Sequence, residues 1–154
     1  MSKKLLIVIV VLVIVLGVSG YFMLYPLLAK NSNATPKYTN KEGTINIGNN
    51  TSLSKDWPSD APAIFTGAKI LYSGDSKPTT RKAGVIVSYT VPSSLKTVSD
   101  FYQSELSAKG WTIKGNANVG TQVIISAQKG DRNFGVSIAD NGNGTITVTA
   151  GSEL

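Results

Sequence analysis

The side chains best suited to chemistry in this sequence are carboxylates. Two carboxylic acids can hydrolyse a glycosidic bond, one as general acid and the other as base or nucleophile. Seven candidates are Asp56, Asp60, Asp75, Asp100, Glu105, Asp131 and Asp140. Most of them fall at predicted turns or on a predicted helix surface, and none belongs to a recognisable catalytic motif. The pattern therefore favours structural roles for these carboxylates.

Other catalytic chemistries lack their essential residues. The chain has no Cys and no His, which excludes disulfides, thiolate nucleophiles, imidazole bases and the commonest ligands of transition metals. No G-x-S-x-G or S-x-x-K motif accompanies its serines. Residues 140–144 (DNGNG) resemble a calcium loop, but Gly142 breaks the pattern and no Glu follows at the required spacing. We therefore predict no catalytic residue, no cofactor, no metal and no enzymatic activity.

The basic character of the chain is concentrated around its amino-terminal segment. The net charge is +6, but Lys3, Lys4 and Lys30 flank one apolar run, and residues 31–154 hold twelve basic and nine acidic side chains. These charges are scattered, without the basic stripe and interleaved aromatic residues of a nucleic-acid site. The sequence thus predicts no nucleic-acid partner.

The apolar run at residues 5–29 is the strongest organisational signal. It has 25 residues without a charge. A helix of this length exceeds the roughly 30 Å hydrocarbon core of a bilayer. Residues 1–4 contribute two lysines and the terminal amine on one side, so the positive-inside rule predicts a cytoplasmic leader and an extracytoplasmic remainder. The expected location is the cell membrane, with a single transmembrane anchor.

A cleaved signal peptide is the alternative for the same run. Residues 5–16 would be its apolar region, and Val18, Ser19 and Gly20 have the small side chains that cleavage requires. The mature protein would then be secreted. However, the apolar run continues for nine residues beyond Gly20, which favours the uncleaved anchor.

Residues 30–55 are predicted to be a flexible linker. They are rich in Asn, Thr, Ser, Lys and Gly, and Ile45, Ile47 and Leu53 are their only aliphatic residues. Such a segment buries too little apolar surface to offset the entropy lost on ordering.

Residues 56–154 are long enough for one small extracytoplasmic domain. The alternation of apolar residues predicts strands at residues 68–73, 84–91, 111–114, 121–129, 132–140 and 145–150, and 3.6-residue spacing predicts a helix from Leu95 to Lys109. The predicted order is β-β-α-β-β-β-β. This is an α+β fold in which one helix packs on an antiparallel sheet.

The alternation also separates two faces of the predicted sheet. The predicted core-facing residues of the last three strands are Val123, Ile125, Ala127, Phe134, Val136, Ile138, Ile146 and Val148. The opposite positions are mostly Ser, Thr, Gln and Asn, which predicts one dry and one wet face. We expect Trp111 and Ile113 to be buried and Trp57 to plug the end of the core. A loop with Lys77, Arg81 and Lys82 could meet an anionic polymer or lipid, although a solvated hairpin tip is the favoured interpretation.

Four short motifs support a resemblance. They are D-W-P-S-D-A-P at residues 56–62, F-T-G-A-K at 65–69, F-Y-x-x-x-L-x-x-x-G-W at 101–111 and K-G-D-R at 129–132. Because of these motifs, residues 56–150 resemble a group of uncharacterised bacterial membrane-anchored proteins with a small exported α+β domain. The resemblance implies a location and a fold and no activity.

Two functional hypotheses follow. The first is a membrane-anchored extracytoplasmic module that binds an envelope protein or cell-wall polymer, or has a structural role, without catalysis. Its contacts would be the polar sheet face, the basic loop or an unpaired strand edge. The alternative is a carboxylate-dependent enzyme that acts on an envelope carbohydrate polymer.

Overall fold

The computed structural model describes residues 37–41, 43–47, 52–77 and 82–154. The predicted leader at 1–4 and membrane segment at 5–29 lie outside these residues. Within the described part, no helix is long and apolar enough to cross a membrane.

The described chain forms one helix packed on an eight-stranded antiparallel sheet. The elements are β1 (Lys37–Asn40), β2 (Gly43–Ile47), β3 (Lys69–Ser76), β4 (Gly84–Pro92), α1 (Leu95–Ala108), β5 (Thr112–Val119), β6 (Gln122–Lys129), β7 (Arg132–Asp140) and β8 (Thr145–Glu153). The strand order in the sheet is β1-β2-β3-β4-β8-β7-β6-β5. The predicted α+β class and the single helix are confirmed.

The predicted count of six strands is wrong, because β1 and β2 add two more. Both lie within residues 30–55, the predicted flexible linker. They form a hairpin, and β2 pairs with β3 from Gly43 opposite Ser76 to Ile47 opposite Tyr72. Backbone hydrogen bonds to an existing edge hold such a hairpin, so its side chains need no apolar alternation. That is why the pattern did not reveal it.

Strand β5 is also longer than predicted. The prediction ended this strand at Lys114, whereas the structure continues it to Val119. Residues 115–118 are Gly, Asn, Ala and Asn, which have low strand propensity. Their pairing with β6 sets their conformation instead.

Helix α1 begins at Leu95, as the sequence predicts, and ends at Ala108, one residue before the predicted end. The Ser94 hydroxyl caps it by accepting a hydrogen bond from the Thr97 backbone N–H at 3.1 Å. Gly110 follows with φ of 76°, a conformation that favours glycine after a helix. Val98, Tyr102 and Leu106 are fully buried against the sheet. The apolar stripe of the helix therefore covers one sheet face, here called the inner face.

The predicted core parity is confirmed. All eight residues predicted to face the core from the last three strands are at most 5% exposed. They join Val85, Val87, Tyr89 and Val91 of β4 on the inner face. Burial of this continuous apolar surface is the main stabilising contribution available to a domain without disulfides.

Candidate binding surfaces

The face of the sheet opposite α1, here called the outer face, consists of rows of small polar residues. Strand register places three rows next to one another. The first is Gly74, Ile86, Gly151, Gly135, Ser126 and Gly115, the second is Tyr72, Ser88, Thr149, Ser137, Ile124 and Ala117, and the third includes Lys69, Thr90, Thr147, Ala139 and Gln122. Lys69, at one end of the third row, is the one charged residue among them. The predicted wet face is therefore polar and carries little charge.

Two glycines of the first row are closely packed within the sheet. A Cβ atom at Gly115 would lie 2.9 Å from the Ser126 hydroxyl, and one at Gly151 would lie 3.3 Å from the Val85 carbonyl oxygen. Both distances are tighter than ordinary van der Waals contact. The row of glycines gives the outer face a low relief.

Hydroxyl groups in the second row form short hydrogen bonds. The Ser88 hydroxyl donates to the Val148 carbonyl at 3.0 Å and lies 3.0 Å from the Thr149 hydroxyl. Beside Thr149, the Tyr72 hydroxyl is buried and makes no hydrogen bond of ordinary geometry within the described residues. Burial raises the pKa of Tyr72 to about 12. The end of this row thus holds a buried, neutral hydroxyl beside that of Thr149.

Aromatic side chains fill the space between α1 and the inner face. Tyr89 and Tyr102 are fully buried, and their hydroxyls lie 2.9 Å apart. Burial raises the pKa of Tyr89 to about 12, and raises that of Tyr102 well above its usual value. The ring centroid of Phe134 lies 6.3 Å from that of Tyr102 and 5.7 Å from that of Trp111.

Residues 56–65, here called the strap, cross the end of this aromatic layer. The Asp60 carboxylate accepts hydrogen bonds from both terminal nitrogens of Arg132, at 3.2 and 2.5 Å, and lies 2.9 Å from the Lys129 ammonium. The Trp111 indole N–H donates to the Asp60 carbonyl at 2.5 Å. The Arg132 and Lys129 hydrogen bonds lower the pKa of Asp60 to about 2. The D-W-P-S-D-A-P motif therefore has a structural role.

Both tryptophans contribute to this layer. Trp111 is 3% exposed, as predicted. Trp57 is half-buried and packs against the core, with its indole N–H donating to the Pro62 carbonyl at 3.1 Å, which agrees with its predicted role as a plug. Ile113 is only half-buried, so full burial was predicted wrongly there. It lies on β5 at the edge of the sheet, where none of the other described strands covers it.

A charged cleft of about 540 Å³ opens beside β3. It is lined in part by Lys37, Lys55, Asp56, Asp75 and Lys77. The Lys77 ammonium lies 2.7 Å from the Asp56 carboxylate and lowers the pKa of that carboxyl. Asp56 thus stays ionised at neutral pH. Of the seven carboxylates considered as candidates, Asp56 and Asp75 are the two that the structure brings to this cleft.

The remaining candidate carboxylates have structural partners. Asp100 pairs with Lys96, Glu105 accepts from the Ala63 N–H, Asp131 pairs with Lys82 and Asp140 accepts from the Gly142 N–H. The last contact makes residues 140–144 a turn. Within the described ranges, no group of three or more His, Cys, Asp or Glu side chains could hold a metal ion.

The two described lysines of the predicted basic loop make separate ion pairs. Lys77 pairs with Asp56, and Lys82 pairs with Asp131 and Glu153, at 3.3 and 3.5 Å. Arg81 lies outside the described residues. The described lysines of this loop therefore do not form a joint cationic patch.

The comparisons with known proteins identify a family. Residues 73–151, which run from within β3 to within β8 and include α1, match a family model described as START domain-like. No curated protein and no solved structure matches the chain. A START-like domain suggests a ligand-binding module, which is compatible with a binding role. Because the match covers just over half of the 154 residues, the chain belongs to the START domain-like family.

Proposed function

We propose that this protein is a membrane-anchored, extracytoplasmic binding module of the cell envelope, without catalysis, and that its outer face contacts a partner protein. The observation that carries the proposal is the low-relief and nearly uncharged outer face, on which no described element packs. The family match supports a binding role in general terms.

The chemistry of the outer face favours a protein surface as partner. Its side chains are mostly Gly, Ser, Thr and Ala, which lose little conformational entropy when a partner covers them. Ile86 and Ile124 add apolar contact area, and the hydroxyl rows add donors and acceptors. An anionic polymer would require several cations, whereas Lys69 is the one cation among the residues named in the three rows. A glycan would be favoured by several aromatic platforms, whereas Tyr72 is the one aromatic residue among them.

A charge placed on the outer face tests this proposal. Thr147→Lys introduces an ammonium group into the uncharged middle of the third row, where a partner surface would have to desolvate it. Thr121→Lys is the matched control, because Thr121 is exposed in the turn between β5 and β6. The tagged full chain is captured from its native membranes after crosslinking.

We expect a specific protein crosslink that Thr147→Lys weakens at least tenfold and Thr121→Lys preserves. Equal capture by both variants would place the contact elsewhere. The partner would instead be a cell-wall polymer if the captured material resisted protease and were degraded by glycan hydrolases.

The location is proposed from the uncharged run at residues 5–29 and the lysines of the leader. Protease added to intact cells should digest residues 56–154 of an extracytoplasmic domain. Protection in intact cells together with digestion after lysis would contradict the proposed orientation. Recovery of the domain in the medium would instead indicate the secreted alternative.

The cleft beside β3 supports the second candidate, a carboxylate-dependent enzyme. Asp56 and Asp75 both line it, but the lowered pKa of Asp56 suits a base or nucleophile rather than an acid. Hydrolysis of envelope polysaccharide by the full chain, lost in Asp75→Asn and retained in Asp140→Asn, would favour the enzyme over the binding module.

A further inference from the structure

The two edges of the sheet differ in how they are protected against further pairing. Edge strand β1 has four residues, and the exposed Lys37 and Lys41 lie at its ends. Edge strand β5 has eight residues and one charge, Lys114. Short length and lysines are the usual devices that keep a strand edge from pairing. The β5 edge uses them less than the β1 edge.

The single lysine protects only the first half of β5. The pairing of β5 with β6 shifts register between Ile113 and Gly115, so Lys114 is the extra residue of a bulge. Beyond it, register is regular from Gly115 to Val119. Residues 116–119 are all exposed, and Val119 is 64% exposed. A five-residue stretch of regular edge strand is therefore accessible.

This stretch carries no charge that would reject a partner strand. Residues 115–128, which form most of the β5–β6 hairpin, contain no Lys, Arg, Asp or Glu. The side chain of Asn116 is held towards α1, since its amide nitrogen donates to the Gln103 side-chain oxygen at 3.2 Å. An extended segment could add to this edge by backbone hydrogen bonds alone.

The order of residues in the stretch indicates which segment fits. The sequence Gly115-Asn116-Ala117-Asn118-Val119 is nearly palindromic around Ala117. If two such strands pair antiparallel about Ala117, each Asn116 lies opposite an Asn118, and each Gly115 lies opposite a Val119. Asn side chains can donate and accept at once, so the two Asn pairs are self-complementary.

We propose that β5 pairs antiparallel with β5 of a second copy of this chain, about a twofold axis at Ala117. The contact is isologous, so it closes as a dimer rather than continuing into a filament. One sheet then extends across both copies. This contact uses the edge of the sheet and is independent of the proposed function of the outer face.

Paired charge substitutions at the axis test the proposal. Ala117→Lys would bring two ammonium groups together in a dimer, and Ala117→Asp would bring two carboxylates together. Thr39→Lys is the matched control at the other edge, on β1. The mass of the full chain in detergent is measured by light scattering, with the detergent contribution subtracted.

We expect a dimer for the parent and for Thr39→Lys, and a monomer for each Ala117 variant alone. An equimolar mixture of the Lys and Asp variants should recover the dimer with one copy of each, because opposite charges then meet. This recovery also shows that both variants are folded, so that loss of the dimer is not caused by unfolding.

Two results would overturn the proposal. A parent chain that stays monomeric at about 100 µM would exclude even a weak self-association at this edge. A dimer that persists in Ala117→Lys would place the contact elsewhere, including residues 5–29. Capture of a foreign extended segment by a monomeric parent, abolished in Ala117→Lys, would show strand addition with a different occupant.

Discussion

The inner and outer faces of the sheet are built from the same strands but have different properties. On the inner face, residues such as Tyr89 and Phe134 are almost completely buried and are fixed by packing against α1. On the outer face, Thr90 and Thr147 are partly exposed, and no described element packs on them. Alternation along one strand thus separates residues that hold the fold from residues that stay partly exposed to solvent.

The largest expected difference between the faces is at Trp111. Its indole is 3% exposed, lies against Phe134 and donates a hydrogen bond to the strap. Trp111→Ala should lower the free energy of unfolding by about 3–5 kcal/mol, because it leaves a cavity in the inner layer. Urea unfolding of the full chain measures this loss.

Trp57→Ala is the matched control. Because Trp57 is only half-buried, its replacement should lower the free energy of unfolding by less. Typical surface substitutions change the free energy of unfolding by no more than about 0.5 kcal/mol. If Trp111→Ala changed it by as little, Trp111 would not belong to the packed face.

Substitution in the buried tyrosine pair should cause a smaller loss in the free energy of unfolding. Tyr102→Phe removes one hydroxyl and leaves that of Tyr89 buried without its side-chain partner. The expected cost is about 1–3 kcal/mol. The double variant Tyr89→Phe, Tyr102→Phe should cost less than the sum of the single changes, because no hydroxyl is then left unpaired. Additive losses in a double-mutant cycle would contradict coupling between the hydroxyls.

The strap should make stability depend on pH in acid. The folded pKa of Asp60, about 2, lies below its ordinary value of 3.8, so ionised Asp60 stabilises the fold above about pH 4. This contribution is lost as the pH falls from about 4 towards 2. Because Asp60 is about one third exposed, we expect only about 1 kcal/mol.

Asp60→Asn should therefore be less stable than the parent at pH 6 and similar to it at pH 2. Thermal unfolding at both values measures the difference, and Asp100→Asn on the exposed side of α1 serves as control. If the difference in thermal stability between the parent and Asp60→Asn were the same at both pH values, the ion pairs of Asp60 would not be its source.

The smallest effect is expected on the outer face. Thr90→Val preserves the shape of a half-buried side chain for which no side-chain hydrogen bond is described. Its free energy of unfolding should stay within about 0.5 kcal/mol of the parent. A loss above about 2 kcal/mol in the same urea assay would mean that this face also holds the fold, and the contrast between the faces would fail.

The inner face could be predicted because it follows simple periodicity. Burial on one side produces alternation in a strand, as at Val123, Ile125 and Ala127. In a helix it produces 3.6-residue spacing, as at Val98, Tyr102 and Leu106. The sequence shows this directly, because each strand and the helix contribute apolar residues at regular intervals.

The edges and the strap could not be predicted in the same way. Strands β1 and β2 and the second half of β5 are polar and rely on backbone pairing. The contact of Asp60 with Arg132 joins residues 72 positions apart, and nothing local marks either of them as a partner. The meeting of Asp56 and Asp75 at one cleft likewise depends on tertiary structure. Such features arise from topology rather than from local pattern.

The position of β8 between β4 and β7 has a consequence for how the chain folds. β4 ends at Pro92 and its neighbour begins at Thr145, so one long side of β4 stays open until more than fifty further residues have been made. At about 5–20 residues per second, this interval lasts about 3–10 seconds during synthesis. Pairing across such a separation also slows folding. The nascent domain therefore passes through a stage in which the sides of β4 and β7 that will pair with β8 are both open, and open strand edges of this kind favour aggregation.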